Sequence, residues 1–160
     1  MQNSSTKDKK AYINVVKDLT NRSNFEKNLD KKKGQNWKVT HIKEYLEKNR
    51  NFEARNTIHL AGSKGKGSTA HFINNIFLES KKNVLLYTSP DLHSVTERIL
   101  LNGKQISKKL FVKIASEYTQ NTFFDNWSYF ELMTIIAWEA AQIQNCEWQI
   151  IETGLGGRLD

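Results

Sequence analysis

The stretch Thr57-Ile58-His59-Leu60-Ala61-Gly62-Ser63-Lys64-Gly65-Lys66-Gly67-Ser68-Thr69 decides the fold. Its first five residues read as a buried strand. Three glycines and two lysines follow within six positions. Beyond them, residues 70–80 place Phe72, Ile73, Ile76 and Phe77 at helical spacing. Strand, Gly-rich loop and helix are the opening of a nucleotide-binding βαβ unit. Glycines let backbone N–H groups approach phosphate oxygens, and a helix N-terminus favours negative charge. Lys66 supplies a mobile positive charge, and Ser68 or Thr69 a hydroxyl for phosphate or magnesium. The loop is not a strict G-x-x-x-x-G-K-[ST] motif: Leu60 stands five residues before Gly65, and Gly67 follows Lys66. Alone it also fits a Gly-rich turn with a solvated lysine.

Two further strands continue the pattern. Val84-Leu85-Leu86-Tyr87 is a short continuous apolar run, as expected of a buried parallel strand. Trp148-Gln149-Ile150-Ile151 is another, ending at Glu152. Each strand runs into a loop with chemical content: residues 62–69, Ser89-Pro90, and residues 152–160. In open α/β sheets, ligands bind beyond the carboxyl ends of the strands. An acidic residue directly after a strand, such as Glu152, often serves a magnesium ion in nucleoside triphosphatases. Taken alone, Glu152 reads better as a strand-ending surface residue and Ser89 as a turn residue before Pro90. Alternation of strands and helices predicts an α/β fold, a parallel sheet with flanking helices.

The intervening segments supply local signals. Asn102-Gly103 between two apolar-rich runs predicts a hairpin. Ser107 is placed to cap a helix reaching about Tyr118. Ser128-Tyr129-Phe130-Glu131 fits an S-x-x-E capping box before an apolar helix reaching about Gln144. Residues 1–9 are expected to be disordered. Tyr12, Val15, Val16 and Leu19 predict a short helix, and Ile42, Tyr45 and Leu46 a second one over residues 39–48. The polar run 28–35 reads as a loop.

Composition bounds the function. Of the 160 residues, 38% are apolar, 26% charged and 11% aromatic, a globular balance. No apolar run is long enough to cross a bilayer, and the first ten residues carry no signal-peptide core, so a cytoplasmic protein is expected. The net charge is +7. Residues 1–50 hold 13 Lys/Arg against 6 Asp/Glu, while residues 51–160 hold 11 of each. The excess therefore lies wholly in the N-terminal third. No aromatic-basic interleaving accompanies it, so it reads as a solvated segment and not a nucleic-acid face. Cys146 is the single cysteine and reads as a structural thiol. His59 reads as a core residue. No histidine pair has metal-ligand spacing.

Taken together, the loops resemble the folylpolyglutamate synthase/dihydrofolate synthase family of Mur-ligase-like ATP-dependent ligases. Residues 62–69 match its G-T-N-G-K-G-S-T loop. Tyr87-Thr88-Ser89-Pro90-Asp91-Leu92, then Glu97-Arg98-Ile99, match Y-T-S-P-H-L and E-R-I. Residues 128–131 match T-[FY]-F-E, and residues 152–160 match E-V-G-L-G-G-R-L-D. The resemblance implies an ATP-binding loop of Gly62, Lys64, Gly65, Lys66, Gly67, Ser68 and Thr69, with Lys66 catalytic. It implies Ser89 and Glu152 as magnesium ligands. Ser128, Tyr129, Phe130, Glu131, Leu159 and Asp160 are the implied substrate-binding residues. Phe130 is expected to offer a stacking face and Glu131 an acceptor for a pterin ring.

The implied reaction activates a pteroate or folate carboxylate with ATP and joins it to L-glutamate. The implied cofactor is Mg2+, and the implied state a monomer. Two residues depart from the family: Lys64 replaces an Asn and is expected to add a phosphate contact, and Asp91 replaces a His and is expected to join the metal shell. The alternative for both is surface drift. The resemblance also implies a division into a basic segment, 1–35, and the N-terminal part of an ATP-binding ligase domain, 36–160. By the same resemblance the family's C-terminal domain is expected to be absent from this chain, so the chain alone is not expected to form the amide. The alternatives are a related ligase with another carboxylate substrate and a non-catalytic ATP-binding module.

Overall fold

A computed structural model describes residues 2–22, 40–49, 56–154 and 157. Helix α1 spans Gln2–Thr20 and α2 spans Thr40–Lys48. Strand β1 (Asn56–Leu60) leads into α3 (Lys66–Glu79), and β2 (Val84–Tyr87) into a 3-10 turn at Val95–Arg98. The hairpin β3 (Ile99–Leu101) and β4 (Lys104–Gln105) precedes α4 (Lys108–Thr119). A second 3-10 turn, Thr122–Phe124, leads to α5 (Tyr129–Ile143) and β5 (Trp148–Glu152).

The sheet has five strands in the order β1-β5-β2-β3-β4. Its first three strands are parallel: Leu60 lies opposite Glu152, and Tyr87 opposite Ile151. The expected hairpin joins antiparallel to β2, so the sheet carries an antiparallel edge beside its parallel strands. A two-residue turn permits only antiparallel pairing. That turn is the predicted Asn102-Gly103, with φ of 51° and 74°. Asn102 also accepts a hydrogen bond from the Val84 N–H at 2.8 Å through Oδ1, tying the turn to β2.

Side chains on β2 and β5 alternate between two cores. Leu85, Tyr87 and Ile151 face α1, α4 and α5, where Phe111, Leu132, Met133, Ile135 and Ile136 are buried. Val84, Leu86 and Ile150 face α3, whose Ala70, Ile73 and Phe77 cover them. The result is helices on both faces of one sheet. Helix α5 is apolar on most sides because it lies between the sheet and α4. The predicted Ser107 cap is present: its Oγ accepts from the Leu110 N–H at 3.2 Å.

Several expectations need correction. Helix α1 begins at Gln2, although residues 1–9 were expected to be disordered: no Gly or Pro interrupts them, and Val15 and Leu19 anchor the helix in the core. Tyr12 also bonds Ser94 Oγ at 2.8 Å. Helix α3 begins at Lys66, a turn earlier than Ala70, because Gly65 at φ 77° turns the chain directly into it. Phe72 and Ile76 of that helix point to solvent, being 69% and 65% exposed. Strand β1 is half exposed and His59 lies at the surface, because β1 bonds only to β5 among the described residues. The polar run 28–35 and the division at residue 35 lie outside the described residues. Among the described residues, no helix is long and apolar enough to cross a membrane.

Two stability predictions follow from this packing. Asn102→Ala removes the acceptor for Val84 and leaves a β-carbon residue at positive φ. It is expected to cost about 1–2 kcal/mol in urea unfolding. Between α4 and α5, the Tyr118 hydroxyl donates to the Glu139 carboxylate. Burial raises Glu139 above its ordinary 4.5, against the opposing hydrogen bond. A raised folded value favours folding below 4.5, and that contribution is lost as pH rises through it. Unfolding measured from pH 4.5 to 7 is therefore expected to vary less in Glu139→Gln than in the parent.

Candidate phosphate-binding site

The strand order builds this site. Because β5 lies between β1 and β2, its last residue, Glu152, sits between the loop after Leu60 and the turn after Tyr87. The Thr153 N–H extends the ladder by donating to the Leu60 carbonyl at 3.0 Å. Glu152 is only 4% exposed. One of its carboxylate oxygens accepts the Ser89 N–H at 3.0 Å. The other lies 3.7 Å from Lys66 Nζ. A buried carboxylate needs such partners, since an unpaired one is costly.

The loop before α3 is open for an anion. Gly65 occupies the N-cap position in the left-handed region, and no side chain caps the helix. Thr69 N–H returns to the Gly65 carbonyl at 2.9 Å. The earlier N–H groups of the first turn are the ones a helix leaves for a ligand. Lys66, at the first helical position, adds a full positive charge beside them. A Cβ on Gly67 would lie 3.5 Å from Glu152 Oε2, so helix start and carboxylate are in near contact. Lys64, Ser68 and Thr69 are exposed at this mouth.

Of the expected site residues, the loop residues, Ser89 and Glu152 therefore come together. Leu159 and Asp160 lie outside the described residues. The segment 128–131 plays a structural part. Ser128 Oγ accepts the Glu131 N–H at 3.2 Å, and Glu131 accepts the Ser128 N–H at 2.8 Å and its hydroxyl at 2.7 Å. This is the predicted capping box, and it occupies one Glu131 oxygen. Tyr129 is buried. Phe130 is half-buried, with its ring against Gly154 and 5.9 Å from that of Tyr87. Its position brings α5 to the end of β5, beside Glu152.

Asp91 does not turn to the carboxylate of Glu152. Its Oδ1 accepts from Arg98 Nε at 2.5 Å. The Arg98 side chain is 2% exposed and its guanidinium lies 5.1 Å over the Tyr129 ring. Sequence reasoning gave Arg98 no role, although Glu97-Arg98-Ile99 was noted as a motif. The signal was an arginine directly before a buried apolar strand, where a cation needs a partner. Glu97, its neighbour, accepts the N–H groups of Leu92 and His93 at 3.0 and 3.2 Å. These two donors hold its carboxyl below the ordinary range.

Oxygen donors from Glu152 and Ser89 suit a hard cation such as magnesium, which keeps waters and phosphate oxygens as its other ligands. Among the described residues, no cluster of three or more His, Cys, Asp or Glu could hold a metal unaided.

A Gly-loop at the end of one parallel strand, with a buried acid on the next, defines an α/β nucleotide-binding domain of the Mur-ligase kind. The comparisons carry this further. No protein-family model matches the chain. A probable folylpolyglutamate synthase of Schizosaccharomyces pombe is 39% identical over 127 residues, 66% of this chain and 24% of that protein. The crystal structure of folylpolyglutamate synthase from Thermotoga maritima superposes with a TM-score of 0.77 at 32% identity, over 94% of this chain and 34% of that one. A bifunctional folylpolyglutamate synthase/dihydrofolate synthase solved with Mn, AMPPNP and L-glutamate bound gives 0.70 at 28% identity, over 79% and 31% of the two chains. Over these stretches the chain is similar to the folylpolyglutamate synthase/dihydrofolate synthase proteins. It spans about a quarter of the length of the curated relative.

The contact between Phe130 and Gly154 is testable. A Cβ at residue 154 would lie 2.6 Å from Phe130 Cε2 and 2.8 Å from Cζ. Gly154→Ala is expected to cost about 1–3 kcal/mol of unfolding free energy. In the background of Phe130→Leu the same change should cost less, which a double-mutant cycle measures.

Proposed function

We propose that the whole protein is an ATP-dependent ligase that joins L-glutamate to a carboxylate of a pteroate or reduced folate. The observation that carries this reading is the convergence of Lys66, Ser89 and Glu152 at the uncapped start of α3. The family relationship supports it, as does the relative solved with a nucleotide analogue, a divalent metal and glutamate.

The first step transfers the γ-phosphoryl group of ATP to the carboxylate, giving an acyl phosphate and ADP. The amino group of glutamate then attacks the acyl carbon. Phosphate leaves as the amide forms, and the amine loses a proton. The chain's own contribution is to bind and orient phosphate. First-turn N–H groups of α3 and the Lys66 ammonium hold its oxygens and stabilise charge that grows in transfer. Glu152 and Ser89 would hold a magnesium ion, which would supply further charge neutralisation during the transfer. Glu152 sets the Lys66 ammonium in the loop. Phe130, in the first turn of α5 with its ring against Gly154, offers the acceptor substrate an aromatic edge beside the reacting end. We place the protein in the cytoplasm, acting as a monomer.

Transfer of labelled L-glutamate to dihydropteroate or tetrahydrofolate, dependent on ATP and magnesium, tests the reading. Lys66→Ala is expected to lower the rate at least about 100-fold, the scale of losing a principal charge stabiliser. Absence of glutamate transfer to any pteroate or folate by the whole protein, with transfer to another carboxylate such as a nucleotide-linked muramyl substrate, overturns it.

A further inference from the structure

Leu92 is the most exposed of the large apolar side chains described, at 84%. A single exposed leucine is ordinary. The backbone beneath this one is not: it is clamped on both sides. Before it, Asp91 is bonded to the buried Arg98, which lies over Tyr129. At and after it, the N–H groups of Leu92 and His93 both donate to Glu97. A further link, the Thr88 N–H to the Arg98 carbonyl at 3.0 Å, ties the start of the same turn to the same arginine. An apolar side chain is thus held out to solvent by a loop with little freedom.

Its position gives this a meaning. Leu92 follows Ser89 by three residues, at most about 10 Å of chain. Ser89 bonds Glu152 in the phosphate site. Arg98, which anchors Asp91, stacks on Tyr129, the neighbour of Phe130. The loop therefore runs from the phosphate site toward the start of α5. A substrate with a carboxylate at the phosphate and a flat aromatic body behind it needs an apolar surface at such a distance.

We infer that Leu92 is a specificity-determining residue that contacts the aromatic body of the acceptor substrate, with Asp91, Arg98 and Glu97 as the residues that position it. The inference rests on the ligase reading above and adds a contact to it. Asp91 acts here through Arg98, to which its Oδ1 is bonded, and not as a metal ligand.

The test measures two affinities in the same protein: dihydropteroate, by its own fluorescence on titration, and magnesium-ATP, by calorimetry. Leu92→Ala removes an exposed side chain, so the fold is retained. It is expected to weaken dihydropteroate binding about tenfold, the scale of losing part of a leucine's buried surface. Magnesium-ATP affinity is expected to stay unchanged. Leu92→Met should restore most of the loss, and Glu97→Gln should weaken dihydropteroate more than ATP. Unchanged dihydropteroate affinity in Leu92→Ala overturns the inference and leaves the ligase reading intact. An equal loss of both ligands in Leu92→Ala also overturns it, since that marks a general disturbance. Where the parent binds tetrahydrofolate and not dihydropteroate, the same comparison is made with tetrahydrofolate; a parent protein that binds magnesium-ATP but neither of the two overturns the inference and the proposed substrate together.

Discussion

The carboxylate of Glu152 is the constraint on which the rest of the site depends. It is a nearly buried charge at the end of a central strand. Burial of a carboxylate is tolerable only with donors and a counter-charge close by. The donor comes from the turn after β2 and the counter-charge from the first residue of α3, which the loop after β1 delivers. Satisfying one buried acid therefore fixes the relative positions of three loops that are far apart in sequence. The mouth of the uncapped helix α3 is therefore organised in advance, and the reorganisation that a flexible site would need is avoided.

The flanking structure serves the same end. Alternation along β2 and β5 lets helices cover both faces of the sheet, so the loops at one edge stand on a rigid base. The start of α5 is fastened twice, by its own capping box and by Arg98 over Tyr129. Arg98 thus joins the Ser89 side of the site to the Phe130 side. Charge pairing at Asp91 and Arg98 does in this chain what a packed apolar contact does elsewhere in the core, and it adds direction, because a hydrogen bond has a preferred geometry.

Much of this was legible from local signals. Val84–Tyr87 and Trp148–Ile151 are apolar runs too short for helices, and both are strands. Asn102-Gly103 and Ser128–Glu131 have one favoured local geometry each, and both adopt it. The glycines and Lys66 marked the loop that meets Glu152. The exposure of β1 was hidden because an apolar run reports propensity and not how many neighbours a strand finds. The first turn of α3 was hidden because Gly67-Ser68-Thr69 has weak helix propensity, and Gly65 overrides it by setting the chain direction. The pairing of Asp91 with Arg98 spans a turn whose path no periodicity describes. Strand order was equally invisible: nothing in the sequence of β5 says that it lies between β1 and β2.

That order has a consequence for how the protein comes into being. β1 and β2 share no ladder; each is bonded to β5, the last of the described strands to be made. A ribosome that has reached α5 has produced both outer members of the parallel core but not the piece between them. Until residues 148–152 emerge, the two strands have no partner to hold them side by side, and their loops have no common acid to gather around. Long-range pairing of this sort is slow and leaves strand edges open meanwhile. The three loops are therefore gathered around Glu152 only once the central strand is inserted.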